Sequence, residues 1–174
     1  MRLKNKTKGE IKMKRRSSAL YLTRGAMIAA LYVAITWLCS AVGLSSGVIQ
    51  FRISEAMCIL PVFLPEAVPA LFIGCMLSNL IAGGVIWDIV FGALATLLGA
   101  IGARLLRKLP PKFIWAATLP TLISNMLIVP PVLIFAYGAA DAYWFILVTV
   151  GIGELVCACF GGAALYFLLK KTLK

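Results

Sequence analysis

The sequence predicts an all-α fold: a polytopic membrane helical bundle of six transmembrane helices, with the second and third of them short. Three observations lead there. The 174 residues are 62% hydrophobic and 13% charged, with a mean hydropathy of +1.00, outside the range of soluble globular chains. The apolar residues come in runs too complete to form one face of an amphipathic helix, so most helices are apolar all round. The basic residues are clustered beside those runs: of 17, nine lie in residues 2–24, four in 104–112 and three in 170–174, leaving Arg52 by itself. Clusters of this kind follow the positive-inside rule and can also hold anionic headgroups.

Residues 1–19 read as a basic cytoplasmic N-terminal tail, and residues 20–174 as a single six-helix membrane domain. No linker, low-complexity tract or internal repeat divides them. The apolar run at 20–42 exceeds the ~7–15 residues of a signal-peptide h-region, and a lipoprotein box at Cys39 fails on Trp37 and Leu38. The first span is therefore expected to stay in the protein. Residues 20–42 and 85–106 each approach the ~20 residues that cross a hydrocarbon core of ~30 Å. Between them, residues 53–64 and 67–81 are short and punctuated by Pro61, Pro65 and Pro69. They are either two short spans or a re-entrant hairpin, and both options return the chain to one side. Residues 113–137 and 143–169 complete the six. Both termini and the loop at Pro110-Pro111 then lie in the cytoplasm. The outer rim carries Trp87, Tyr143 and Trp144, as headgroup layers favour.

Composition excludes much chemistry. The net charge of +11 invites a nucleic-acid reading, but basic clusters flanking apolar spans argue against one. With no histidine in the chain, a zinc or haem site and a His-based triad are not expected. The five cysteines lie in apolar segments without a CxxC pair and read as packing residues. No GxxxxGK[ST] loop is present, so any ATP dependence belongs to a partner. No catalytic residue, metal site or cofactor is assigned to this chain.

The polar residues inside apolar surroundings carry the functional argument, because an ionisable group at mid-span costs at least ~2.5–3.5 kcal/mol. Gln50, Arg52, Glu55, Asn79 and Asp88 fall in the outer half by topology, with Asn125 and Glu154 deeper. Together they describe a polar pocket opening outward. Each has a plainer reading. Arg52 and Glu55, three apart, can pair as ions. Asp88 can sit solvated or stabilise a helix N-terminus. Asn125, between Pro120 and Pro130, can satisfy carbonyls freed by a kink. Glu154, beside Gly151 and Gly153 with no cation near it in sequence, is the hardest to explain in this way. Glu66 lies in a Pro-rich turn outside the pocket. Ala26, Ala30 and Ala34 form a small-residue row in the first span, which suits either packing inside the bundle or docking of another subunit.

Four stretches resemble the QueT family: Ile49-Gln50-Phe51-Arg52-Ile53-Ser54-Glu55-Ala56, Phe72-Ile73-Gly74-Cys75, Asp88-Ile89-Val90-Phe91-Gly92-Ala93-Leu94-Ala95-Thr96-Leu97 and Val150-Gly151-Ile152-Gly153-Glu154. The resemblance covers residue 20 to the C-terminus. It implies a bacterial cell-membrane S component of an energy-coupling factor (ECF) transporter, which captures queuosine precursors. The implied partners are an EcfT-like transmembrane coupling subunit and two EcfA-like cytoplasmic ATPases, which would hold the ATP and magnesium. It also implies that Ala26, Ala30 and Ala34 meet the coupling subunit. For a 7-deazaguanine cargo such as preQ0, preQ1 or queuine, Glu55, Asp88 and Glu154 are candidates for the N–H donor edge or a cationic amine. Asn79, Asn125 and Gln50 are candidates for the carbonyl or ring nitrogens, and Phe51, Trp87 or Tyr137 for stacking. A proton-coupled secondary transporter using Glu154 or Asp88, and an S component for another vitamin, are the alternatives.

Overall fold

The computed structural model describes residues 2–43, 51–138 and 142–172, with side chains described between residues 18 and 171. Among them are α1 (Arg2–Ala41), a 3-10 helix (Ile53–Val62), α2 (Ala67–Ile81) and α3 (Ile86–Leu105). A second irregular stretch, Pro111–Thr118, leads into α4 (Leu119–Tyr137). Finally α5 (Tyr143–Glu154) passes through a π-helical turn, Leu155–Gly161, into α6 (Gly162–Thr172). The described residues contain no β-strand.

The six expected apolar segments are present as helices, all within a few residues of their expected bounds except the first, which extends back to Arg2. Four are long and apolar enough to cross a membrane: Ser18–Ala41, Ile86–Lys108, Pro111–Tyr137 and Tyr143–Lys171. The two between the first and second of these have 10 and 15 residues, about 20 Å and 22 Å at their respective rises per residue. Neither covers the full hydrocarbon thickness alone. The expected boundary at residues 19 and 20 falls inside α1, whose 40 residues extend about 60 Å. Gly138 ends α4 in the left-handed conformation, φ 66°, which glycine adopts without a Cβ clash.

The short helices are held from within the bundle. Pro61 lies inside the 3-10 helix and Pro65 just after it, so the chain there cannot complete a regular ladder. Arg104, in the last turn of α3, donates to the carbonyls of Pro61 and Val62 at 3.0 and 3.4 Å. A basic residue expected only to mark the cytoplasmic side thereby also satisfies backbone acceptors. One buried cluster joins α1 through Ile28 and Tyr32, the 3-10 helix through Met57 and Cys58, α2 through Leu71 and Cys75, and α3 through Ala93 and Ala100. Helices α3 and α4 approach closely at Gly99 and Gly102. A Cβ there would stand 2.4 Å from Thr121 Oγ1 and 2.3 Å from Pro120 Cβ respectively. Large apolar side chains such as Phe135 and Trp144 cover the outside, as a lipid-facing surface requires.

Candidate functional site

The centre of the bundle holds two buried carboxylates in different states. Glu55, in the first turn of the 3-10 helix, is fully buried and saturated. Its Oε1 accepts from the Tyr32 hydroxyl and, at 3.2 Å, from Thr96 Oγ1. Its Oε2 accepts from Cys58 Sγ at 3.1 Å. The alternative of an Arg52–Glu55 ion pair is not realised: among the described residues the ion pair formed is Arg24–Glu66, at 3.6 Å. Tyr32, Cys58 and Thr96 were not among the candidates, although a tyrosine and a threonine inside apolar spans were the available signal.

Glu154 is the opposite case. It ends α5 at the junction with the π-helical turn, a winding that recurs at functional sites. It is 5% exposed, and Oε2 meets no hydrogen-bond partner among the described residues. Asn125, on α4 and 1% exposed, lies beside it, and its Nδ2 also meets no partner within hydrogen-bond distance. The reading of Asn125 as the satisfier of a kinked helix is therefore not what the structure adopts. Thr121 Oγ1 is a third unpartnered buried atom. Arg52, Val129, Val150 and Glu154 enclose a cavity of about 10 Å³, room for about one water.

A second polar group forms around the start of α3. Asp88 lies in the first turn of that helix, where the dipole favours a carboxylate. Tyr137, at the end of α4, donates to Asp88 Oδ2 at 3.0 Å and accepts from the Val85 N–H at 3.2 Å. Asn79 Nδ2 donates to the Asp88 carbonyl at 3.2 Å. These contacts tie α2, α3 and α4 together. A Cβ on Gly92 would lie 2.9 Å from Asn79 Nδ2, 3.5 Å from Asp88 Oδ1 and 4.0 Å from Arg52 Nη1. The bare glycine thus lets these side chains approach α3 closely, and Arg52 links this group to the cavity beside Glu154.

Arg52, Glu55, Asn79, Asp88, Asn125 and Glu154 accordingly lie near one another within the bundle, around a cavity of about 10 Å³. The aromatic candidates are dispersed. Trp87 is exposed and stacks on Phe91 at 5.9 Å between centroids, Phe51 is half-buried, and the Tyr137 hydroxyl is engaged by Asp88. Gln50 lies outside the described residues. All five cysteines are unpaired and buried. No grouping of cysteine, aspartate or glutamate suited to a metal ion occurs among the described residues.

On the opposite face of α1, Ala26, Ala30 and Ala34 are exposed. With Gly25, Ala29, Ala70 and Ile73 they line an apolar groove of about 870 Å³ between α1 and α2. Gly25 and Ala29 turn toward α2, where a Cβ on Gly74 would come within 3.2 Å of the Ala29 carbonyl oxygen.

Comparison with known proteins places this architecture. A queuosine precursor transporter, QueT, from Lactococcus lactis subsp. cremoris (strain MG1363) is 35% identical over 92 residues, 52% of this chain and 53% of that protein. The alignment thus spans about half of the curated relative's length. No solved structure matches the chain. The family model described as QueT transporter matches residues 22–171, from the apolar part of α1 through α6. The chain therefore belongs to the QueT transporter family.

Proposed function

We propose that this chain is the substrate-binding S component of an ECF-type uptake transporter and captures a queuosine precursor with a 7-deazaguanine base from outside the cell. The observation that carries the reading is at the bundle centre, where Glu154 neighbours Asn125 and the Glu154 Oε2 acceptor and the Asn125 Nδ2 donor are each without a partner. A lactam edge offers the complement, an N–H next to a carbonyl. Binding it would satisfy two buried atoms, each of which costs about 1–3 kcal/mol when left unpaired. Family membership and the relative's name supply the cargo class. A bicyclic base exceeds a one-water cavity, so capture includes a separation of the helices around Arg52 and Glu154.

Energy for release comes, in this reading, from two cytoplasmic ATPases acting through a transmembrane coupling subunit. The small-residue groove on α1 and α2 supports that arrangement, since exposed alanines at four-residue spacing admit a partner helix closely. The test is a binding panel on the purified full chain, comparing 7-deazaguanines with guanine, riboflavin, biotin and thiamine. Selective binding of deazaguanines is expected, and tight vitamin binding without them would overturn the cargo assignment. A proton-coupled carrier is the second reading, favoured by the unbonded oxygen of Glu154. Uptake that follows the proton gradient in cells lacking the ATPases would select it.

A further inference from the structure

We infer that, in the free chain, the groove between α1 and α2 holds the acyl chain of a phospholipid, whose zwitterionic headgroup, a phosphate with a primary ammonium, is bound by Arg24 and Glu66. The inference is independent of the cargo and goes beyond the transport reading. The groove, of about 870 Å³, follows α1 from Tyr21 to Trp37, about 24 Å of helix. One leaflet is half of a hydrocarbon core of ~30 Å, so a chain anchored at the Tyr21 end lies wholly within the groove. Ala26, Ala30 and Ala34 leave the volume that a methylene chain fills.

The charges at one end of the groove select the headgroup. Glu66 lines the groove and is 4% exposed, yet its side chain does not cap α2. Among the described residues the polar contact of its carboxylate is Arg24 Nη1 at 3.6 Å, longer than a hydrogen bond. A buried carboxylate short of donors is costly, and a primary ammonium brings three. The Arg24 side chain is 58% exposed, which leaves guanidinium N–H groups open to a phosphate, an anion that this fork fits. An ethanolamine headgroup joins phosphate and ammonium through two carbons and answers both residues at once. A lone lysine from a protein would serve Glu66 but stand against Arg24, and an anionic headgroup would serve Arg24 but stand against Glu66. A helix docked on the alanine face would displace this lipid, since both need the same groove.

The experiment is native mass spectrometry of the full chain released from nanodiscs with equal parts of phosphatidylethanolamine, phosphatidylcholine and phosphatidylglycerol, for the wild type, Glu66→Gln and Ala30→Trp. The wild type should retain phosphatidylethanolamine about fivefold or more over each of the others, in line with a charge-assisted hydrogen bond. Phosphatidylcholine, whose quaternary ammonium has no N–H donor, separates hydrogen bonding from charge. Glu66→Gln should cut the preference about threefold or more, because a neutral amide is the weaker acceptor. Ala30→Trp, which fills the groove, should lower retention of all three lipids. Equal wild-type retention, a preference for phosphatidylglycerol, or a phosphatidylethanolamine preference undiminished in Glu66→Gln would overturn the headgroup assignment. Retention unchanged in Ala30→Trp would overturn the groove as the site. The wild-type comparison decides the headgroup even if a variant does not fold, and each of these outcomes leaves the cargo class standing.

Discussion

Glu55 and Glu154 show how two glutamates of equal standing in the sequence acquire different roles. Both are buried, but three side chains donate to Glu55, whereas one oxygen of Glu154 is left without a partner. Glu154→Gln should therefore weaken deazaguanine binding about tenfold or more with little change in thermal stability. An unchanged dissociation constant would return Glu154 to a structural role. Glu55→Ala should act mainly on folding, since it strands Tyr32 and Cys58 as buried donors at about 1–3 kcal/mol per group, while Thr96 keeps the Gly92 carbonyl as an acceptor. A melting temperature equal to that of the wild type would show that the network does not hold the bundle together. The sequence located both carboxylates and Asn125, but it could not separate saturated from unsaturated, because the donors to Glu55 come from three elements.

At the scale of elements, close approach and irregular winding are the features that composition conceals. The face of α3 bearing Gly99 meets Thr121 on α4, with a Cβ position 2.7 Å from the Thr121 Cα. Gly99→Ala should lower stability by about 1–3 kcal/mol through overpacking, read as an earlier thermal transition in detergent. The α1 and α2 groove makes a separate prediction. Ala30→Trp should abolish co-purification with the proposed coupling subunit while cargo binding to the isolated chain persists. Retained co-purification would place docking elsewhere. Pro61 and Pro65 announced a break between the short segments, yet ten residues of 3-10 helix at Ile53–Val62 had no distinct signature. Nor did the π-helical turn after Glu154, because Leu155–Gly161 reads as an ordinary apolar stretch. Gly161 packs that turn against the 3-10 helix, its Cβ position 3.2 Å from Ala56 Cβ, so the two irregular helices support each other across the interior.

For the whole molecule, charge distribution makes the remaining prediction. Basic clusters at 2–24, 104–112 and 170–174 predict, by the positive-inside rule, that both termini face the cytoplasm. In a background without native cysteines, Ala139→Cys should react with an impermeant maleimide in intact cells, and Thr172→Cys only after lysis. The reverse pattern would invert the bundle and move the Asp88 end of the site inside. Membrane insertion, the six helical segments and the QueT resemblance were legible in the sequence by itself, because hydropathy, charge clustering and motif identity are sums or strings over neighbouring residues. Which polar groups bond to one another was decided by the tertiary structure alone. The contacts that saturate Glu55 span 23 and 41 positions along the chain, and those that leave Glu154 and Asn125 unpaired depend on how α4 and α5 pack. Hydrogen bonding acts over about 3 Å, a distance that only the folded bundle sets.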